Sequence, residues 1–188
     1  TRELQFARGH LYRGRGEDMP AVRIHEHLLM RGDLNEAECA RAQHALALDY
    51  TRAGILDRAE RALALLENTV YETESRQIRL AIYERLRDWP QAAEVAERLR
   101  SSNPKVYTWR QTHYWCEQAL GQPQPQALAL LEQAHALAPM ALRPLIELAR
   151  LQLRGGQAAA AIATFRLLQG QNPLWLALVL NDYLDAVF

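Results

Sequence analysis

The sequence predicts an all-α solenoid of about five stacked helix pairs followed by a final helix. Pro104, Pro139 and Pro173 recur at intervals of 35 and 34 residues, which indicates an internal repeat. Small residues, aromatic residues and leucines stand at similar offsets before each of these prolines. Hydrophobic residues make up 49% of the chain and charged residues 23%, so the chain has enough apolar surface to build a packed core.

The last full unit carries the repeat pattern most completely. It has Gly156, Ala161, Phe165 and Pro173 where a tetratricopeptide repeat of about 34 residues has a small residue, an alanine, an aromatic and a closing proline. We therefore predict a tetratricopeptide repeat solenoid, wound as a right-handed superhelix in a single array over residues 1–188. Its units are placed at about 2–33, 40–71, 73–105, 108–140 and 142–174, with a terminal helix over 174–187.

Two positions recur through the units. In the first helix, Tyr12, Tyr50 and Tyr83 share one position, which Gln118 occupies in the fourth unit. In the second helix an alanine lets two helix backbones approach closely while neighbouring larger side chains fill the remaining space. These alanines are Ala21, Ala59, Ala92, Ala127 and Ala161. No unit buries its apolar face alone, so stacking provides the core.

The turns between helices fit the same arrangement. Asp18, Asp88 and Gln124 stand just ahead of second helices as candidate N-caps, and each is followed by a proline one or two residues later. The final segment, LWLALVLNDYLDAVF, is apolar for a terminal helix. We therefore expect Trp175 and Tyr183 to lie at an interface, either with further chain or with a second copy in a homodimer.

Composition excludes several classes of function. The 22 basic residues balance the 22 acidic ones, so nothing global favours nucleic acid or an anionic membrane as a partner. No apolar run is long enough to cross a bilayer. The sequence offers no Ser/His/Asp arrangement, no Gly-rich phosphate loop and no HExxH motif. We expect no enzymatic activity, no catalytic residue and no cofactor in this chain.

The stretch THYWCEQAL is the strongest candidate for chemistry. It places His113, Cys116 and Glu117 on neighbouring turns of one helix, where they could hold a metal or activate the thiol. Cys39 is the other cysteine, and the pair fits no metal spacing, which favours two free thiols over a disulfide. Because no second ligand cluster accompanies the stretch, we interpret it as the packed first helix of the fourth unit.

Four segments resemble one family in the same order. They are RIHEHLL (23–29), LDYTRAGILDRAE (48–60), EVAERL (94–99) and HYWCEQAL (113–120), and they are similar to segments of the lipopolysaccharide assembly protein B family, of the YciM type. The resemblance implies that this chain is the central repeat region. It places the family's N-terminal membrane helix and its C-terminal rubredoxin-like zinc domain outside the chain, and the repeats at the cytoplasmic face of the bacterial inner membrane.

The resemblance also implies a function. The family is a non-enzymatic adaptor that regulates lipopolysaccharide biosynthesis by bringing the committed-step deacetylase of lipid A synthesis to a membrane-anchored AAA+ protease. These partners come from the resemblance alone. The alternative is a generic repeat module, for assembly or regulation, that binds an acidic peptide.

The first helices of such an array line a concave groove, and the residues at its predicted lining positions make it locally basic. Guanidinium groups pair well with carboxylates, so an acidic or C-terminal peptide is the expected ligand class. The alternative is that these arginines pair with neighbouring acidic residues and need no partner. The predicted contact residues are Arg13, Arg41, His44, Arg52, Arg85, Trp109, Arg143, Arg150 and Arg154.

Overall fold

The computed structural model describes residues 1–187, which form twelve α-helices. These helices fall into two compact units. The first unit is Thr1–Leu86 and the second begins at Arg87. The boundary lies inside the predicted third repeat, 73–105, so the description below treats each unit by itself. The unit boundaries of a single array stay a prediction.

The first unit contains five helices, each packed on the next along the chain. Its core gathers Leu46, Tyr50, Leu63 and Ile82 from successive helices, as expected where no single helix pair buries its apolar face. The helices are α1 (Arg2–Gly14), α2 (Asp18–Leu29), α3 (Glu36–Arg52), α4 (Leu56–Ala64) and α5 (Glu72–Leu86).

The second unit contains seven helices. One core cluster forms around Leu131 and Leu148, and another around Leu145 and Phe165. The helices are α6 (Trp89–Leu99), α7 (Pro104–Leu120), α8 (Gln124–Leu137), α9 (Leu142–Arg154), α10 (Ala158–Gln171), α11 (Pro173–Ala177) and α12 (Leu180–Val187).

The repeated alanines are buried as predicted. Their exposed fraction is at most 2%, and they let neighbouring helices approach closely. They are Ala21, Ala59, Ala92, Ala127 and Ala161.

The recurring tyrosine position joins neighbouring helix pairs of the first unit. The Tyr50 hydroxyl on α3 donates to Glu26 Oε1 on α2 at 2.5 Å. The Tyr83 hydroxyl on α5 likewise donates to Glu60 on α4. Burial raises the pKa of both tyrosines, and the neighbouring carboxylates raise it further. Each ring thus packs in the core while its hydroxyl satisfies an acidic residue of the preceding helix.

Only one of the three predicted caps is correct. The Asp88 side chain accepts from the Gln91 N–H at 3.3 Å at the start of α6. Asp18 and Gln124 are instead the first helical residues of α2 and α8, and neither of these helices has a side-chain cap. Asp18 binds Arg52, with 3.2 Å between its Oδ1 and the Arg52 Nε, so the carboxylate serves an inter-helix contact instead of a cap.

The turns that follow three first helices need a left-handed residue. Gly16, Gly54 and Gly156 have φ of 78°, 74° and 72°, a conformation that glycine adopts without strain. Arg87 occupies the equivalent place after α5 with φ of 56°. A side chain with a Cβ is strained in this region.

Arg87→Gly is therefore expected to stabilise the protein. Relief of the strain outweighs the conformational entropy that glycine adds to the unfolded chain, for a net gain of about 0.5–1 kcal/mol. Thermal unfolding of both proteins measures the change. Arg15→Gly is the matched control, because Arg15 caps α1 with a right-handed φ of −86° and glycine relieves nothing there. Equal effects of the two substitutions would contradict the assignment of strain to Arg87.

The prediction of one terminal helix over 174–187 is wrong. The segment forms α11 and α12, with a break at Leu178 and Val179. The break places Val179, 2% exposed, in the core beside α10. Tyr183 then meets Phe165 edge to face, with 5.9 Å between ring centroids. No helix among residues 1–187 is both long enough and apolar enough to cross a bilayer.

Candidate functional site

Arg13, the first of the predicted groove residues, faces the interior of the first unit. Its side chain is only 14% exposed, and its Nε lies 3.4 Å from Asp49 Oδ1. Its Nη1 also donates to the Ala45 carbonyl at 3.2 Å. The guanidinium of Arg13 therefore holds α1 against α3, and little of it remains for a partner.

Asp49 belongs to a buried polar cluster that the sequence reasoning missed. His25 Nδ1 lies 2.5 Å from Asp49 Oδ2, and both side chains are 0% exposed. A Cβ added at Gly9 would lie 2.5 Å from the His25 ring, so only glycine lets α1 pass this close to α2. The available signal was a glycine at a small-residue position of α1 together with a histidine and an aspartate among apolar neighbours.

The predicted groove residues Arg41 and His44, both on α3, also lie beside glutamates. Arg41 Nη1 lies 2.8 Å from Glu3 Oε1, and its guanidinium sits 4.1 Å from the centre of the Phe6 ring. His44 Nε2 lies 3.2 Å from Glu74 Oε2, and its ring stacks on Tyr71. The Phe6 ring itself is fully buried.

In the second unit, Arg143 explains the stretch that resembled a reactive site. Its Nη1 lies 2.7 Å from His113 Nδ1, and its Nη2 donates to Glu117 Oε1 at 2.7 Å. Arg150 Nε similarly donates to Asp182 Oδ2 at 2.9 Å, which ties α9 to α12. Within residues 1–187 no group of three His, Cys, Asp or Glu side chains is arranged to hold a metal ion.

Cys116 points into the core instead of lining the groove. It is 1% exposed, and burial raises the pKa of its thiol to about 11. Glu147 and Glu117 raise this pKa further, while Arg143 opposes them. The thiol is therefore protonated at neutral pH, and the thiolate is the reactive form.

Native Cys116 is expected to resist labelling by a thiol reagent at pH 7 and to react fully once the chain is unfolded. Cys39 is the internal comparison, because it is a free cysteine that is only partly buried. Mass spectrometry of the labelled cysteines separates the two rates, with Cys39 expected to react faster. Faster labelling of Cys116 than of Cys39 in the native protein would revive the reactive-site hypothesis.

Four of the predicted groove residues are exposed: Arg52, which pairs with Asp18, and Arg85, Trp109 and Arg154. Arg85 on α5 and Arg154 on α9 make no hydrogen bond or ion pair with another described residue, and Trp109 on α7 is 49% exposed. The other five arginines are paired with carboxylates, as the alternative interpretation expected. Two neighbouring apolar residues, Trp115 and Leu153, pack partly against the cores of the second unit.

Comparison with known proteins supports the resemblance drawn from the four segments. The chain is 30% identical to lipopolysaccharide assembly protein B of Escherichia coli K12 over 177 residues, which is 92% of the chain. It is 28% identical to the Haemophilus influenzae protein of the same name over 175 residues, or 91% of the chain. The aligned part covers 46% and 44% of these relatives, so the chain spans a little under half of their length. No protein-family model matches the chain.

Solved structures show the same fold. MamA 41-end from Desulfovibrio magneticus RS-1 superposes with a TM-score of 0.52 over 91% of this chain and 97% of that one, at 13% identity. A double mutant of MamA from RS-1 superposes with a TM-score of 0.53 over 92% of this chain and 94% of that one. At this identity the likeness concerns the fold alone. The prediction of an all-α tetratricopeptide repeat fold is confirmed, as is the resemblance to lipopolysaccharide assembly protein B.

Proposed function

We propose that this chain is a protein-interaction scaffold that carries out no chemistry of its own and needs no cofactor. The observation that carries the proposal is the similarity to lipopolysaccharide assembly protein B over nine-tenths of the chain. The helical repeats support it, because stacked helix pairs present long surfaces to protein partners. The protonated, buried Cys116 and the arginine-bound His113 also favour binding over catalysis.

The finer proposal is an adaptor role in the regulation of lipopolysaccharide synthesis. The chain would link the committed-step deacetylase of lipid A synthesis to a membrane-anchored AAA+ protease. It would work at the cytoplasmic face of the bacterial inner membrane, and any zinc site would lie outside these residues.

The proposed contact surface consists of residues on the first helices of the repeats. Its exposed cations include Arg85 and Arg154. Arg85 and Arg154 have no carboxylate to satisfy them among residues 1–187, so an acidic partner would add ion pairs without breaking any. Trp109 adds an exposed aromatic of the type that dominates interface energetics. The paired arginines contribute less, because a partner would have to displace their acidic neighbours.

Affinity purification of the protein at its natural level from solubilised membranes tests the adaptor role. The protease and the deacetylase are expected in the bound fraction, quantified by mass spectrometry against an untagged strain. Arg85→Glu with Arg154→Glu should reduce their recovery. The matched control is Arg23→Glu with Arg166→Glu, since both of these arginines are exposed on second helices. Absence of both partners, under conditions that keep other membrane complexes intact, would overturn the adaptor proposal.

A generic acidic-peptide module is the second candidate. It is favoured by the limited overlap with the relatives, since the chain spans less than half of their length. The same purification distinguishes it: other proteins would then be recovered, with the same dependence on Arg85 and Arg154, while the protease and the deacetylase would be absent.

A further inference from the structure

Each compact unit contains a surface depression at the carboxyl end of a first helix, mainly apolar in the first unit and lined about equally by polar and apolar atoms in the second. The first has a volume of about 420 Å³ and the second about 400 Å³, within the range of about 300–1,000 Å³ typical of ligand sites. Residues lining the first are Thr51, Leu56, Gln77, Ile78, Ala81, Ile82 and Arg85. Residues lining the second are Cys116, Ala119, Leu120, Gln122, Leu131, Glu147, Leu151 and Arg154.

In the first depression an apolar surface meets one exposed cation. Leu56, Ile78 and Ile82 supply the apolar surface, and Ala81 keeps the space open because its side chain is small. Arg85 is exposed and has no partner among the described residues. No acidic side chain lines this depression, so the charge of Arg85 is not offset there.

The second depression also places an exposed arginine beside apolar side chains, but polar and apolar atoms line it about equally. Leu131 and Leu151 supply the apolar surface, and the exposed Arg154 stands at its edge. Leu120 lines it while being 60% exposed. Glu147 also lines it, and its Oε1 lies 4.0 Å from Arg150 Nη1, so this carboxylate already has a cation beside it.

The two depressions occupy equivalent places in the repeat. Arg85 and Arg154 lie in the last turn of α5 and α9, and both are at the same predicted groove position. A cation in the last turn of a helix is favoured by the helix dipole, which accounts for the arginine by itself. It does not account for the depression with leucine or isoleucine side chains that lies beside that arginine in both units.

We propose that each depression binds an acidic and apolar segment of a partner protein. A leucine-sized side chain enters the hollow, and an adjacent Asp or Glu carboxylate pairs with Arg85 or Arg154. The guanidinium suits this role because its fork matches a carboxylate, and the apolar surface beside it reduces competition from water. This inference rests on the proposed scaffold function and names the chemistry of its partner.

Two capped dipeptides test the proposal: acetyl-Leu-Asp-amide and acetyl-Leu-Asn-amide, which differ only in the carboxylate. Arginine side-chain NMR of the whole chain is expected to show saturable shifts of the Arg85 and Arg154 Nε–H signals with millimolar Leu-Asp peptide. The Leu-Asn peptide should bind at least about fivefold more weakly, the scale expected when one charge-assisted hydrogen bond is lost.

Matched variants identify the sites. Arg85→Gln should leave the Arg154 response unchanged, and Arg154→Gln should leave the Arg85 response unchanged. Ala81→Leu fills the first hollow and should also remove the Arg85 response. Arg23→Gln and Arg166→Gln, at exposed arginines elsewhere in the same two units, should change neither. Circular dichroism checks that every variant is folded.

Equal binding of the two peptides, no saturable shift of the Arg85 and Arg154 signals, or an Arg85 response that Ala81→Leu leaves unchanged would each overturn the inference. Its failure is separable from that of the proposed function. Recovery of the protease and the deacetylase without peptide binding would reject these depressions alone. Peptide binding without either partner would reject the adaptor role alone.

Discussion

Asp49→Ala is expected to lower the free energy of unfolding by about 3–5 kcal/mol, the cost of removing one partner from a buried polar pair. The Asp49 carboxylate is 0% exposed and lies 2.5 Å from His25 Nδ1. It also lies 3.4 Å from the Arg13 Nε. Its removal leaves the fully buried His25 without its partner, and Arg13 keeps only the Ala45 carbonyl.

Denaturant unfolding followed by circular dichroism measures the effect. Asp57→Ala is the matched control, because Asp57 is exposed on α4 and its loss should cost within about 1 kcal/mol. Asp49→Asn tests the mechanism, since its amide oxygen can still accept from His25 and the loss should be smaller than for alanine. Equal costs for Asp49→Ala and Asp57→Ala would show that the cluster contributes nothing to stability.

Ala161→Phe is expected to destabilise the second unit by about 1–3 kcal/mol through overpacking. Ala161 is 0% exposed in the core that also contains Leu145 and Phe165. A phenyl ring there must push α9 and α10 apart, because the interior is already close-packed. Ala159→Phe is the matched control on the same helix, since Ala159 is exposed and the added ring can remain in solvent.

Tryptophan fluorescence reports this change selectively. All four tryptophans, Trp89, Trp109, Trp115 and Trp175, belong to the second unit. The Ala161→Phe transition should therefore shift in fluorescence, whereas Asp49→Ala should shift mainly the circular dichroism signal if the two units unfold independently. An unchanged midpoint for Ala161→Phe would show that the assigned repeat register is wrong.

The positions of the buried alanines were predictable because they follow from the spacing of small residues along the chain. Ala59, Ala92 and Ala161 are buried where the pattern placed them. Two of the three capping residues were wrong, since an aspartate near a helix start serves equally well as a first-turn residue that binds an arginine. The terminal segment was predicted as one helix because apolar residues run through most of it, and composition does not show where the chain must turn to bury Val179.

The predicted groove residues show more clearly what the sequence could not predict. The sequence identified the arginines and left open whether acidic neighbours would pair with them. Glu3 is 38 residues from Arg41, and Asp182 is 32 residues from Arg150. Rules based on residue spacing do not predict such pairs, because these rules apply only within a single helix. Tertiary structure assigned five arginines to ion pairs and left Arg85 and Arg154 without a partner among residues 1–187, each at the edge of a surface depression.

The sequence alone therefore determined the helical repeat, its small-residue positions and the resemblance to lipopolysaccharide assembly protein B. These depend on periodicity and on residue order, which are properties of neighbouring positions along the chain. Only the tertiary structure decided which charges are satisfied, that His25 and Asp49 form a buried pair, and that Cys116 is buried. Those outcomes depend on desolvation and on distances of a few ångströms between helices, which arise only when the repeats stack.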